Sequence, residues 1–221
     1  MSNLISDKDK EYLREEFKKS LKGEVMLAVF TQEIECQFCK ENRELAEGIA
    51  ETSDKIKVMV YDFVKDAEKA KELGIDKVPA IAVLGKKDYG IRFYGIPHGY
   101  ELKSLTEDII NVSREDTNLS EETKEKLRKI NKPVHIQVFV TLTCPYCSIA
   151  TSLAHKFAFE SDYIKSDMVE IGEFPHLAQK YSVMGVPKIV INETIEFVGV
   201  LSEDHFVEHV LLATKQSPIY V

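Results

Sequence analysis

Two Cys-x-x-Cys pairs, Cys36 with Cys39 and Cys144 with Cys147, stand 108 residues apart in a chain of 221. Each is followed at one fixed distance by a Val-Pro dipeptide: Pro79, after Val78, lies 43 residues beyond Cys36, and Pro187, after Val186, lies 43 beyond Cys144. Asp62 and Glu170 precede those prolines by 17 residues, again 108 apart. The flanks keep the same order. Val25 to Phe30 (V-M-L-A-V-F) matches Val134 to Phe139 (V-H-I-Q-V-F), and Phe93-Tyr94-Gly95 matches Phe197-Val198-Gly199. So many landmarks at nearly one offset indicate a duplicated unit, and the length accommodates two domains of roughly 110 residues. The polar stretch Ser113 to Asn118 suggests a division into 1–116 and 117–221.

Each copy reads as an α/β unit, a mixed sheet flanked by helices. Ser6 and Asp9 resemble a capping pair ahead of a charged helix ending near Leu21. Short apolar, β-branched runs predict strands at 25–31, 56–61, 79–84 and 89–94, and in the second copy near 134–140, 167–171, 187–191 and 195–199. Helices are expected from Cys36 to about Ala50, from Asp66 to Leu73 with Gly74 as the stop, and from Glu101 to Val112. Their counterparts fall near 120–130, 144–160, 173–181 and 203–214.

The spacing of the cysteines has a chemical meaning. Disulfide exchange needs two sulfurs close enough to bond, one of them a thiolate near neutral pH. At a helix start the first cysteine meets unpaired N–H groups and the positive end of the helix dipole, which favour the thiolate. The second lies about a turn further in, placed to attack a mixed disulfide. Cys36 and Cys144 are therefore the candidate nucleophiles, and Cys39 and Cys147 the candidate resolving thiols. Val78-Pro79 and Val186-Pro187 complete the pattern. A cis X-Pro turn beside a dithiol would leave the valine backbone free to pair with an extended substrate. Phe38 and Tyr146 are expected to pack near the sulfurs.

These residues resemble the thioredoxin superfamily. The whole chain is similar to the tandem protein disulfide oxidoreductases of hyperthermophilic bacteria and archaea, through Cys36-Gln37-Phe38-Cys39 with Val78-Pro79 and Cys144-Pro145-Tyr146-Cys147 with Val186-Pro187. Asp88-Tyr89-Gly90-Ile91-Arg92 and Val186 to Ile191 also fit. The resemblance implies two thioredoxin-like domains, cis prolines at 79 and 187, and formation, reduction or isomerisation of disulfides in protein or peptide substrates. It further implies a thioredoxin-reductase-like flavoprotein as electron partner. One departure stands out. Single-domain thioredoxins carry an acidic residue in the strand before the motif, but the positions six residues ahead of each first cysteine are Phe30 and Val138. Any such role falls to another carboxylate.

The two pairs are not expected to be equal. Glu35 adjoins Cys36, whereas Thr141-Leu142-Thr143 before Cys144 carries no charge. A carboxylate about 7 Å away, at an effective dielectric of about 40, costs a thiolate on the order of 1 kcal/mol. Cys144 is thus expected to have the lower pKa and its pair the higher potential.

Composition limits the alternatives. Net charge is −8, which argues against a nucleic-acid protein. No apolar run approaches membrane-spanning length, and the charged start does not read as a signal peptide, so a cytoplasmic setting is the default. A charge content rich in Glu and Lys, with no Trp, points to a heat-adapted source. A shared Cys₄ zinc site is disfavoured, because 104 residues separate the pairs and compact zinc modules use about 15–20. The six histidines show no ligand spacing. No metal and no cofactor are expected. Two other functions compete: a dedicated electron shuttle between a flavoprotein reductase and a peroxidase-type acceptor, and a peptide-binding module with incidental cysteines.

Overall fold

The computed structural model describes residues 4–215; the outermost residues of the two expected domains, 1–3 and 216–221, lie outside them. The first unit runs α1 (Asp7–Ser20), β1 (Val25–Thr31), α2 (Cys39–Ala50), β2 (Ile56–Asp62), α3 (Ala67–Leu73), β3 (Ala80–Leu84), β4 (Asp88–Tyr94) and α4 (Glu101–Arg114). The second repeats the order: α5 (Glu121–Arg128), β5 (Val134–Val140), α6 (Cys147–Glu160), β6 (Ile164–Glu170), α7 (Pro175–Lys180), β7 (Lys188–Ile191), β8 (Ile195–Val198) and α8 (Glu203–Lys215).

Local chemistry sets several of these ends. Ser6 Oγ accepts the Asp9 N–H at 3.1 Å and donates to the Asp9 carboxylate at 2.6 Å, satisfying one orphan donor of α1. Gly74 ends α3 with a left-handed φ of 65°. Within each unit the sheet is mixed. β1 runs parallel to β2 and antiparallel to β3, and β3 is antiparallel to β4. β5, β6, β7 and β8 repeat those relations.

The two sheets join. β4 pairs in parallel with β6, placing Arg92 opposite Asp167 and Phe93 opposite Met168, and giving one eight-stranded sheet of order β2-β1-β3-β4-β6-β5-β7-β8. Alternating residues feed two cores, as the two-residue strand period requires. Leu27 and Val29 of β1 join the core that holds Leu45, Leu105 and Phe157, while Ala28 and Phe30 face the opposite one with Leu73, Tyr94 and Phe174. At the seam Gly90 has φ 77°, and a Cβ there would lie 2.6 Å from the Ile164 carbonyl oxygen. Only glycine permits that approach.

Three expectations are corrected. Helices α2 and α6 begin at Cys39 and Cys147, not at Cys36 and Cys144. The first cysteine of each pair sits in a turn ahead of the helix: the Cys147 N–H donates to the Cys144 carbonyl at 3.3 Å, a tighter i to i+3 bond, and α-type bonding starts with Asn42 N–H to the Phe38 carbonyl and Ala150 N–H to the Tyr146 carbonyl. β6 begins at Ile164, earlier than expected, because its N-terminal half pairs with β5 from Val134 onward. α4 extends to Arg114, so Ser113 lies inside it rather than in a linker.

Candidate active site

The sheet brings the Cys-x-x-Cys and Val-Pro segments together. β1 and β3 are antiparallel with Phe30 opposite Ala80. The loop leaving β1 toward Cys36 and the Val78-Pro79 turn entering β3 therefore emerge at the same end of neighbouring strands. Phe139 opposite Lys188 does the same for Cys144 and Val186-Pro187. Both Val-Pro bonds are cis.

Cys36 and Cys39 form a disulfide with Cα atoms 5.5 Å apart, and Cys144 and Cys147 form another with Cα atoms 5.4 Å apart. In each pair the first cysteine is half-buried and the second buried. The Gln32 N–H donates to Cys39 Sγ at 3.4 Å. Cys144 Sγ lies 3.8 Å from the Val186 carbonyl oxygen. Pro79 and Pro187 are buried, while Val78 and Val186 are half-buried, and the main-chain groups of the two valines have no backbone hydrogen-bond partner among the described residues. Unpaired main chain beside a sulfur is the arrangement that strand addition requires. Phe38 packs against the core, and Tyr146 is exposed.

One carboxyl at the second site was not legible in the sequence. Glu101 opens α4, where an acid ordinarily complements the helix dipole in water. Here it is fully buried. Burial pushes its pKa from 4.5 up to about 7, against the opposing pull of the Ser104 and Thr151 hydroxyls. Ser104 Oγ donates to Oε2 at 2.6 Å, and Oε1 has no partner. Thr151 lies four residues after Cys147, on the same face of α6. The segment before α4 also touches the loop before Cys144: the Tyr100 N–H donates to the Leu142 carbonyl at 3.3 Å. The first unit thus sets a protonatable group against α6 beside Thr151, which follows Cys147 by one helical turn.

The reverse contact occurs at the first site. Glu173 accepts the Ile96 N–H at 2.7 Å, and the Gly95 N–H donates to the Pro79 carbonyl at 3.0 Å. Burial also raises the Glu173 pKa to about 7, with Glu170 and Glu41 adding repulsion and the Ile96 N–H opposing. Among the described residues no group of three or more His, Cys, Asp or Glu side chains is arranged to hold a metal ion, and no helix is long and apolar enough to cross a membrane.

Comparison with known proteins agrees with this geometry. Residues 134–211 match the family described as Thioredoxin domain. The crystal structure of a protein disulfide oxidoreductase from Aeropyrum pernix superposes with a TM-score of 0.91 at 34% identity, covering 97% of this chain and 95% of that one. A thioredoxin of Methanocaldococcus jannaschii is 34% identical over 76 residues, which is 34% of this chain and 89% of that protein. Longer relatives match as well. An NADH dehydrogenase of Bacillus subtilis is 24% identical over 155 residues, and an alkyl hydroperoxide reductase chain of Escherichia coli is 25% identical over 152, each alignment covering 69% of this chain. The chain spans only 28% and 27% of their lengths. With a cysteine pair and a cis Val-Pro turn in both halves of a duplicated fold, the chain belongs to the thioredoxin superfamily, among its tandem-domain disulfide oxidoreductases.

Proposed function

We propose that this protein exchanges disulfides with protein or peptide substrates at both Cys-x-x-Cys centres. The observation that carries the reading is the twice-repeated pairing of a half-exposed outer sulfur, a buried inner sulfur and unpaired Val-Pro main chain. In the reducing direction the thiolate of Cys36 or Cys144 attacks a substrate disulfide, forms a mixed disulfide and expels one substrate thiolate. The thiolate of Cys39 or Cys147 then attacks the outer sulfur, closing the protein disulfide and releasing the second substrate thiolate. Two electrons pass to the substrate, and an external dithiol restores the enzyme. Oxidation is the same sequence reversed. Val78, Pro79, Val186 and Pro187 hold the extended substrate. Glu101, with its pKa raised to about 7, is the group assigned to take up the Cys147 proton before resolution. The test is dithiothreitol-driven reduction of a protein disulfide: it should vanish when all four cysteines are serine, and undiminished turnover would refute the assignment.

A second reading, a dedicated shuttle between a flavoprotein reductase and a peroxidase-type acceptor, is favoured by the likeness to the longer reductase and dehydrogenase relatives. It predicts rapid reduction by such a flavoprotein and little refolding of scrambled proteins. In either reading the chain divides near 116/117. Side-chain bonds support this: Ser113 Oγ accepts the Lys22 and Gly23 N–H groups, whereas Thr117 Oγ1 donates to Glu160.

A further inference from the structure

The first turn of α2 buries a polar side chain that nothing in the disulfide form uses. Asn42 lies on the inward stripe of α2 with Cys39, Leu45, Ala46 and Ile49, and it is fully buried. Its main-chain N–H donates to the Phe38 carbonyl, but neither Nδ2 nor Oδ1 of the side chain has a hydrogen-bond partner. Among the described residues it is the one buried side chain left with two unpaired polar atoms. Local structure gives no reason for this residue. Asparagine is a poor former of helix interiors, and a buried amide without partners costs stability that an apolar side chain of similar size would not.

The second unit shows that the fold does not require an amide there. The residue 108 positions further on is Ala150, three after Cys147 as Asn42 is three after Cys39, and it is 2% exposed. The buried polar groups beside that helix turn are Thr151 and the titratable Glu101 instead.

The position of Asn42 ties it to the inner sulfur. Helical side chains lean toward the N-terminus and cover the turn before them, and residues three apart have Cβ atoms about 5–6 Å from each other. Asn42 therefore lies over the turn that carries Cys39. In the disulfide the Cys39 sulfur has no proton to donate, and it already accepts the Gln32 N–H at 3.4 Å. Opening the bond frees the side chain to turn and changes its chemistry: a thiol donates, and a thiolate accepts strongly. An amide has an oxygen for the first and two N–H donors for the second.

We infer that Asn42 is the hydrogen-bond partner of Cys39 in the reduced protein, its Oδ1 accepting from the thiol and its Nδ2 donating to the thiolate that resolves the mixed disulfide. The inference rests on the exchange reading above and adds a residue to its first site. When two glutathione molecules reduce this pair, their thiols give two electrons and become glutathione disulfide. The Cys36–Cys39 bond breaks, Cys36 is left as thiolate, Cys39 keeps one of the two protons, and the other goes to solvent. Asn42 gains its partner only in that product, so it draws the first pair toward the dithiol. In resolution Cys39 loses its proton and attacks the outer sulfur, and the amide N–H groups hold the charge meanwhile.

The test uses the full chain with Cys144→Ser and Cys147→Ser, so that the first pair alone reports. Asn42 is compared with Asn42→Leu, apolar and of similar size, and with Asn42→Ala, the residue that the second unit has. Equilibration with glutathione buffers, followed by alkylation and mass mapping, should show both variants shifted toward the disulfide by about tenfold, the scale of one buried hydrogen bond lost and about 30 mV for a two-electron couple. Release of the second substrate thiol from a mixed disulfide at Cys36 should slow by a similar factor. Denaturant unfolding should find the disulfide form of Asn42→Leu no less stable than its parent and the dithiol form less stable. An unchanged glutathione equilibrium, or equal destabilisation of both redox forms, would overturn the role of Asn42 while leaving exchange standing. Failure of the parent's first pair to equilibrate with glutathione at all would overturn exchange at that site, and this inference with it.

Discussion

At the scale of single residues, the sulfurs are distinguished by their neighbours rather than by the motif. Cys36 has Glu35 beside it, in a left-handed conformation with φ 59°; Cys144 follows an uncharged loop and faces the Val186 carbonyl. Thiol titration of the two single-pair proteins should give Cys144 the lower pKa by somewhat less than about one unit, and the reverse order would refute the electrostatic ranking. Glu101 carries a second prediction. Its pKa is raised in the folded state, so folded protein holds this proton more tightly than unfolded chain between pH 4.5 and about 7. The associated stability is lost as pH rises through that window. Relative to Glu101→Gln, the natural protein should lose about 3 kcal/mol between about pH 4.5 and 7.5, measured by denaturant unfolding. The same variant should slow exchange at the second pair by about tenfold or more near neutral pH. A parallel pH–stability profile in the two proteins would remove Glu101 from the proton inventory.

At the scale of elements, the most exposed claim concerns the seam between β4 and β6. Arg92 is buried there, donating to both Asp88 carboxylate oxygens at 2.8 and 2.5 Å and to the Leu73 carbonyl at 3.0 and 2.6 Å. Burial alone would raise the Asp88 pKa, but Arg92 holds it below the ordinary value. Arg92→Met should cost about 3 kcal/mol or more, because the Leu73 carbonyl and a desolvated carboxylate lose their donor. A change under about 0.5 kcal/mol would show that the pair contributes nothing. Local pattern made much of this level legible. The apolar runs at 25–31 and 134–140, the Ser6 cap and the Gly74 stop all appear where short-range chemistry puts them. What stayed hidden depends on partners distant in sequence. The first cysteine of each pair precedes its helix because a turn forms there, and Glu101 at a helix start looks like any solvated acid until α6 packs over it.

At the scale of the whole molecule, duplication was readable from spacing alone, and so was the joining of each cysteine pair to its own Val-Pro turn. The single eight-stranded sheet was not. Pairing of β4 with β6 matches two strand edges whose sequences carry no mark of it, and only the structure reveals that each unit packs an acid with a raised pKa against the other. Glu101 opens α4 whereas Glu173 precedes α7, so the two acids come from non-equivalent places in the repeat and the halves differ despite their common plan. The central claim, that both centres form mixed disulfides through their outer sulfurs, is tested most directly by trapping. With Cys39→Ser and Cys147→Ser, incubation with a disulfide-containing peptide and mass mapping should find peptide attached at Cys36 and at Cys144. A chain that stays unmodified at both positions would contradict the account.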